Sequence, residues 1–180
     1  MRTPASIAKH PIHPMIVPIP IGLWIFSLFC DLVHRFGGAS PGWEVVALYT
    51  MVGGIVGALI AAVPGFIDLV SLPSSIKPTA IKHMALNLTI VVLFIINAWM
   101  RRNGVTDGAI WLSVLAIILL GVSGWLGGKM VYEHGVAVEP VSASTEPPVS
   151  TQRPRYQGPE RRNPVRRSGY FGPDRRMATQ

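Results

Sequence analysis

Five side chains in this sequence are of the right types to share a site: His13, Asp68, His83, Asn87 and His134. Imidazoles supplied by separate segments can ligate haem iron or a divalent metal through one ring nitrogen, while a carboxylate orients the other. Asn87 follows His83 by four residues, which on a helix places both on one face. No His-Glu-x-x-His pattern is present, so spacing alone identifies no metal. The competing reading makes all five interfacial polar residues aimed at lipid headgroups, with Asp68 paired to His13 or to Lys77. A second group, Asp31 with His34 and Arg35, is explained by an Asp-to-Arg pair one helical turn apart; a proton relay is its functional alternative. No nucleophile–base pair or phosphate loop is recognisable, so nothing points to a hydrolase or a transferase and the reading leans away from an enzyme.

These residues are carried by a chain that segregates its charge from its apolar surface. Mean hydropathy is +0.41, yet the formal charge is +7. The long apolar runs fall within residues 14–130, and eight of the 16 basic residues lie beyond residue 150. That separation is characteristic of membrane proteins. Four runs stand out: Pro14 to Phe36, Trp43 to Val70, Ala80 to Met100 and Ala109 to Met130. Each is ~20 residues or longer, enough to cross a hydrocarbon core of about 30 Å. In lipid the backbone must satisfy its own hydrogen bonds, so such runs are helices. No Ala-x-Ala pattern follows the first, which reads as a retained span rather than a signal peptide. Cys30 is the single cysteine, so no internal disulfide forms.

The connections 37–42, 71–79 and 102–108 are short and rich in Gly, Pro, Ser and Asn. Short loops make sequence neighbours antiparallel, which predicts an all-α, up-down-up-down transmembrane bundle with both termini on one side. This topology gathers His13, Asp68, His83 and His134 at one membrane boundary. The divisions expected are a cytoplasmic segment 1–13, the bundle 14–138 and a disordered tail 139–180. Arg2, Lys9, Lys77, Lys82 and Lys129 outnumber Arg35, Arg101 and Arg102 on the opposite side, and the tail widens the gap. The positive-inside rule then puts both termini in the cytoplasm.

Helix two carries Gly53, Gly57, Ala61 and Gly65 at four-residue intervals beside Gly54, Ala58 and Ala62; helix four carries Gly121, Gly124 and Gly128. Small residues let helices approach closely in lipid, so both rows are expected at packing seams within the bundle. Pro18 and Pro20 lack amide protons, which predicts an irregular, partly hydrated start to helix one beside His13.

Residues 139–180 are rich in Pro, Ser and Arg and poor in aliphatic residues, which predicts disorder. Gly158-Pro159-Glu160-Arg161-Arg162 recurs as Gly172-Pro173-Asp174-Arg175-Arg176. With Arg166 and Arg167, these arginines form a polybasic segment whose simplest partner is the anionic headgroups of its own bilayer, with nucleic acid the least favoured.

The run His13-Pro14-Met15-Ile16-Val17-Pro18-Ile19-Pro20-Ile21-Gly22, with Asp31, Gly65-Phe66-Ile67-Asp68, His83, Asn87 and Gly127-Gly128-Lys129-Met130-Val131-Tyr132-Glu133-His134-Gly135-Val136, resembles a bacterial family of four-helix membrane domains of unknown function. The resemblance covers residues 10–138. Some members look fused to Rieske-type iron–sulfur domains, which implies membrane redox chemistry for those members. Many relatives carry a second histidine where this chain has Pro18, so a site built on it elsewhere would be incomplete or different here. The tail has no cysteine pair, so a separate redox protein would be the partner. Three functions follow as expectations: a haem b or metal-binding electron-transfer protein using His13, His83 and His134; a scaffold or small permease-like bundle with a structural or proton-conducting polar cluster; or an anchor for a partner-binding tail.

Overall fold

The computed structural model describes residues 3–38, 40–105 and 107–138. The chain enters through a small hairpin in which β1 (Ser6–Ile7) pairs antiparallel with β2 (His10–Pro11). Its turn residues Ala8 and Lys9 both have positive φ, 49° and 69°. Such turns normally select Asn or Gly, so this one has no signature in the sequence. The helices follow: α1 (Ile12–Ile16), α2 (Pro18–Phe36), α3 (Pro41–Ser71), α4 (Lys77–Arg102) and α5 (Asp107–Tyr132).

Only Val17 separates α1 from α2, and its backbone is itself right-handed helical (φ −52°, ψ −35°). The expected irregular start is therefore confined to one residue. Val17 N–H still reaches His13 O at 3.1 Å, and the next Val17-spanning bond, Ile21 N–H to Val17 O, lengthens to 3.4 Å. Pro18 and Pro20 remove donors without unwinding the helix, and Pro20 is buried against α3. Taken together α1 and α2 span 25 residues, α3 31, α4 26 and α5 26. At 1.5 Å per residue α3 is about 46 Å long, longer than a hydrocarbon core, and must tilt or project.

α2 lies against α3, α3 against α4, α4 against α5, and α5 closes back onto α2. The surface is inverted relative to a water-soluble bundle. Phe29, Val56, Val63, Ile95, Trp111 and Trp125 face outward, while Ser27, Asn97, Ser113 and Ser123 are buried. Lipid accepts apolar side chains outside, and helix association rests on close packing and polar contacts inside. The centre holds Trp24 stacked on Phe94, centroids 4.4 Å apart and 14° between planes, with Met51, Ile90 and Ala116 around them.

The helix-two row of small residues packs within the bundle. A Cβ on Gly54 would lie 2.5 Å from the Trp24 ring, so only glycine fits there. The helix-four row does not behave as expected. Positions Gly121 and Gly124 have nothing within 4 Å of a would-be Cβ and face outward; the close approach on α5 is made by Gly127 instead.

Candidate functional site

α1 and α4 bring His13 and His83 together with ring centroids 6.5 Å apart and planes at 88°. Each ring is tethered to a different neighbouring helix. His13 Nδ1 lies 2.8 Å from Ala61 O on α3, and His83 Nδ1 lies 2.9 Å from Ser123 O on α5. A carbonyl can only accept, so Nδ1 carries the proton in both rings and Nε2 is the nitrogen left for other work. Two glycines make room for this arrangement. A Cβ on Gly65 would sit 2.8 Å from His13 Nδ1, and one on Gly127 would sit 3.3 Å from His83 Cε1.

Asn87 joins the site as its helical spacing implied. Its Nδ2 donates to His83 Nε2 at 3.1 Å and to His83 O at 2.9 Å. Asp68 and His134 occupy other roles. Asp68 is buried, and its Oδ1 accepts the backbone N–H of Ala5 at 2.9 Å, which seats the N-terminal hairpin on the end of α3. The expected pairing of Asp68 with His13 or Lys77 is replaced by this contact, because the hairpin brings an amide donor to the carboxylate first. His134 follows the last turn of α5 and is exposed. Among the described residues, no three His, Cys, Asp or Glu side chains converge on one point.

The opposite end of the bundle holds a second polar group. Asp31 does not pair with Arg35. Arg101 reaches across from α4 and grips the Asp31 carboxylate through both terminal nitrogens, at 2.6 and 2.5 Å. Both side chains are almost fully buried, 8% and 3% exposed, and Arg101 Nε donates to Asn97 Oδ1 at 2.7 Å. Asn97 Nδ2 then donates to Ala109 O at 2.6 Å and to Ser113 Oγ at 2.8 Å. A local partner would have left a buried guanidinium uncompensated, which costs far more than the weak surface pair it would make. Arg35 turns outward to Asp107 and His34 to Glu44. A cleft of about 380 Å³ opens above, lined by these groups with Val45, Leu48 and Ile110. Asn97 and Arg101, one turn apart in an apolar run, were the available sequence signal for this network.

The profile of the family described as predicted membrane protein (DUF2231) matches residues 9–140, which take in β2 and all five helices. The chain belongs to that family. No curated protein and no solved structure gives a significant match. As a DUF2231 protein it sits in the lipid bilayer through four candidate spans. The tail arginines Arg161, Arg162, Arg166, Arg167, Arg175 and Arg176 lie outside the described residues.

Proposed function

We propose that this DUF2231 protein is a membrane electron-transfer protein that holds an iron porphyrin of the haem b type between His13 and His83. The observation carrying the proposal is the pair of imidazoles 6.5 Å apart, each pinned through Nδ1, which leaves Nε2 as the ligating atom once Asn87 gives up its contact with His83 Nε2. Two ring nitrogens, each about 2.0–2.1 Å from one ion, put the ring centres roughly 6 Å apart. An iron porphyrin would ask the protein for two ligands, and His13 and His83 would be the residues that hold it. A divalent ion held by protein alone needs three or four, which the described side chains at this place do not offer. The chain's own residues supply binding and orientation: Ala61 O and Ser123 O fix the rings, and Asn87 must release His83 Nε2 while keeping its bond to His83 O. A haem bound there would supply one-electron chemistry, and a separate redox protein would be its partner.

The Asn87 contact supports a second reading, in which His83 and Asn87 are a structural or proton-conducting pair in a non-redox bundle. An absorption spectrum decides between them. Protein purified in detergent after expression with a haem precursor is expected to show a Soret band that His83→Ala abolishes. No Soret band under those conditions would leave the second reading standing.

In this proposal the termini lie on the cytoplasmic side of a bacterial inner membrane, as the Lys and Arg distribution supports, and so does the histidine pair. The arginine-rich tail then meets anionic headgroups on the same side.

A further inference from the structure

Three contacts cross the bundle between the α1–α2 arm and α4: His13 with His83, Trp24 with Phe94, and Asp31 with Arg101. In every case the partners are 70 residues apart. A constant offset over three contacts means that the two arms run in the same direction in fixed register. The first and last contacts are 18 residues apart along each arm, which at the helical rise is about 27 Å, close to the thickness of a hydrocarbon core.

The partner helices α3 and α5 repeat the relation with an offset of 62 residues. Ser27 Oγ donates to Ala47 O, and Asn97 Nδ2 donates to Ala109 O. His13 Nδ1 donates to Ala61 O, and His83 Nδ1 to Ser123 O. Gly65 makes room for the His13 ring, and Gly127 for the His83 ring. Buried positions obey the same map: Ala47, Met51, Gly54 and Ala61 become Ala109, Ser113, Ala116 and Ser123. Pro20, Trp24 and Ser27 become Ile90, Phe94 and Asn97. The difference between the two offsets is taken up at the connecting loop. There α4 ends four residues before, and α5 begins four residues after, the positions their counterparts predict. That is about one turn removed from each helix.

We infer that the domain is one helical hairpin used twice, residues 12–71 and 77–132, about a pseudo-two-fold axis along the bundle. His13 and His83 are then a single ligating position used twice on that axis. Parallel repeats related by an axis along the membrane normal are an established way of building membrane bundles. The two halves differ where difference is useful. Asp31 and Arg101 are equivalent positions of opposite charge, so a half paired with its own copy would oppose like charges at membrane depth. Unlike halves neutralise each other. Each histidine is held by a carbonyl of its own hairpin, while Asn87, which contacts His83 Nε2, has Val17 as its counterpart, so the two histidines are equivalent in position and differ in that one contact. Under the cofactor reading, His13 and His83 would each supply one imidazole nitrogen to the same group. The claim about the ligand rests on the cofactor reading above; the claim of duplication does not.

Two experiments on the full chain separate these claims. Asp31→Arg alone and Arg101→Asp alone are each expected to abolish the monodisperse folded peak in detergent. The exchange of the whole cluster across the axis (Asp31→Arg and Ser27→Asn with Asn97→Ser and Arg101→Asp) is expected to restore it. An exchange no better folded than either single variant would overturn the duplication. For the ligand, His13→Ala and His83→Ala are expected to lose the Soret absorbance to the same extent, and the double variant to lose no more. Retention of the band by one single variant would overturn the equivalence of the ligands. A wild-type protein without the band would overturn the cofactor reading and the ligand claim together, while the exchange still decides the duplication.

Discussion

The two ends of the bundle solve the same problem with different chemistry. At one end Arg101 and Asp31 are ionic partners with every strong contact made internally: carboxylate to guanidinium, guanidinium to Asn97, Asn97 to Ser113 and a carbonyl. At the other end the backbone carbonyls that tether His13 and His83 both engage Nδ1. His83 Nε2 is held by one amide, which Asn87 also commits to a backbone carbonyl. A network with its strong bonds closed on itself is suited to holding helices together. A pair with ring nitrogens in reserve is suited to binding something. The contrast predicts that damage at the first end is read as lost stability, and damage at the second as lost function.

The largest effect should come from Arg101→Ala. It strands a buried carboxylate, and removing one partner of such a pair costs about 3–5 kcal/mol. The thermal midpoint in detergent should fall steeply or folded protein should disappear. A midpoint within a degree or two of wild type would mean that the pair is solvated and the contrast false. Gly65→Ala comes next. Its Cβ would meet the His13 ring at 2.8 Å, and overpacking of this kind costs about 1–3 kcal/mol. The ring must leave Ala61 O, so the Soret band should shift or vanish along with some stability. Gly121→Ala is the control, with nothing within 4 Å of the new methyl group. It should be neutral or stabilising by up to about 1 kcal/mol, the helix-propensity gain. His83→Ala should lose about 1 kcal/mol, the worth of its hydrogen bonds, while abolishing cofactor binding. A variant that instead unfolds would move the histidines into the same class as Arg101.

Which end faces which compartment is tested by thiol labelling in a Cys30→Ser background. With the termini cytoplasmic, Gly104→Cys should react with an impermeant reagent in intact cells, while Ser6→Cys and Ser150→Cys should not. The reverse pattern would place the histidine pair outside. The smallest effect concerns the tail. A peptide of residues 151–180 should bind anionic vesicles at low salt and release as salt rises, since surface attraction decays within a Debye length. Salt-insensitive binding would point to a partner other than headgroups.

The helices were legible because lipid leaves a long apolar run little choice of structure. The meeting of His13 and His83 was legible from connectivity, since short loops fix which helix ends are neighbours. The partner of Asp31 was not. A rule of local spacing offered Arg35, whereas the guanidinium that neutralises it comes from 70 residues away. The hairpin that takes Asp68 was hidden by an Ala8-Lys9 turn without turn residues. The repeat relating the two halves escaped because it preserves positions and contacts rather than residue types: Ser27 against Asn97, Trp24 against Phe94, Asp31 against Arg101. Likewise nothing local told the outward-facing Gly121 and Gly124 from the inward Gly127.

The bond from the Ala5 amide to Asp68 Oδ1 gives the molecule a clock. An N–H open to water trades its proton freely, whereas one held by a buried carboxylate exchanges only when the contact opens. The hairpin leads directly into α1, so each opening loosens the segment that carries His13. Deuterium uptake at Ala5 would therefore time how often the histidine end is uncovered, and any ligand that stiffens His13 should slow it.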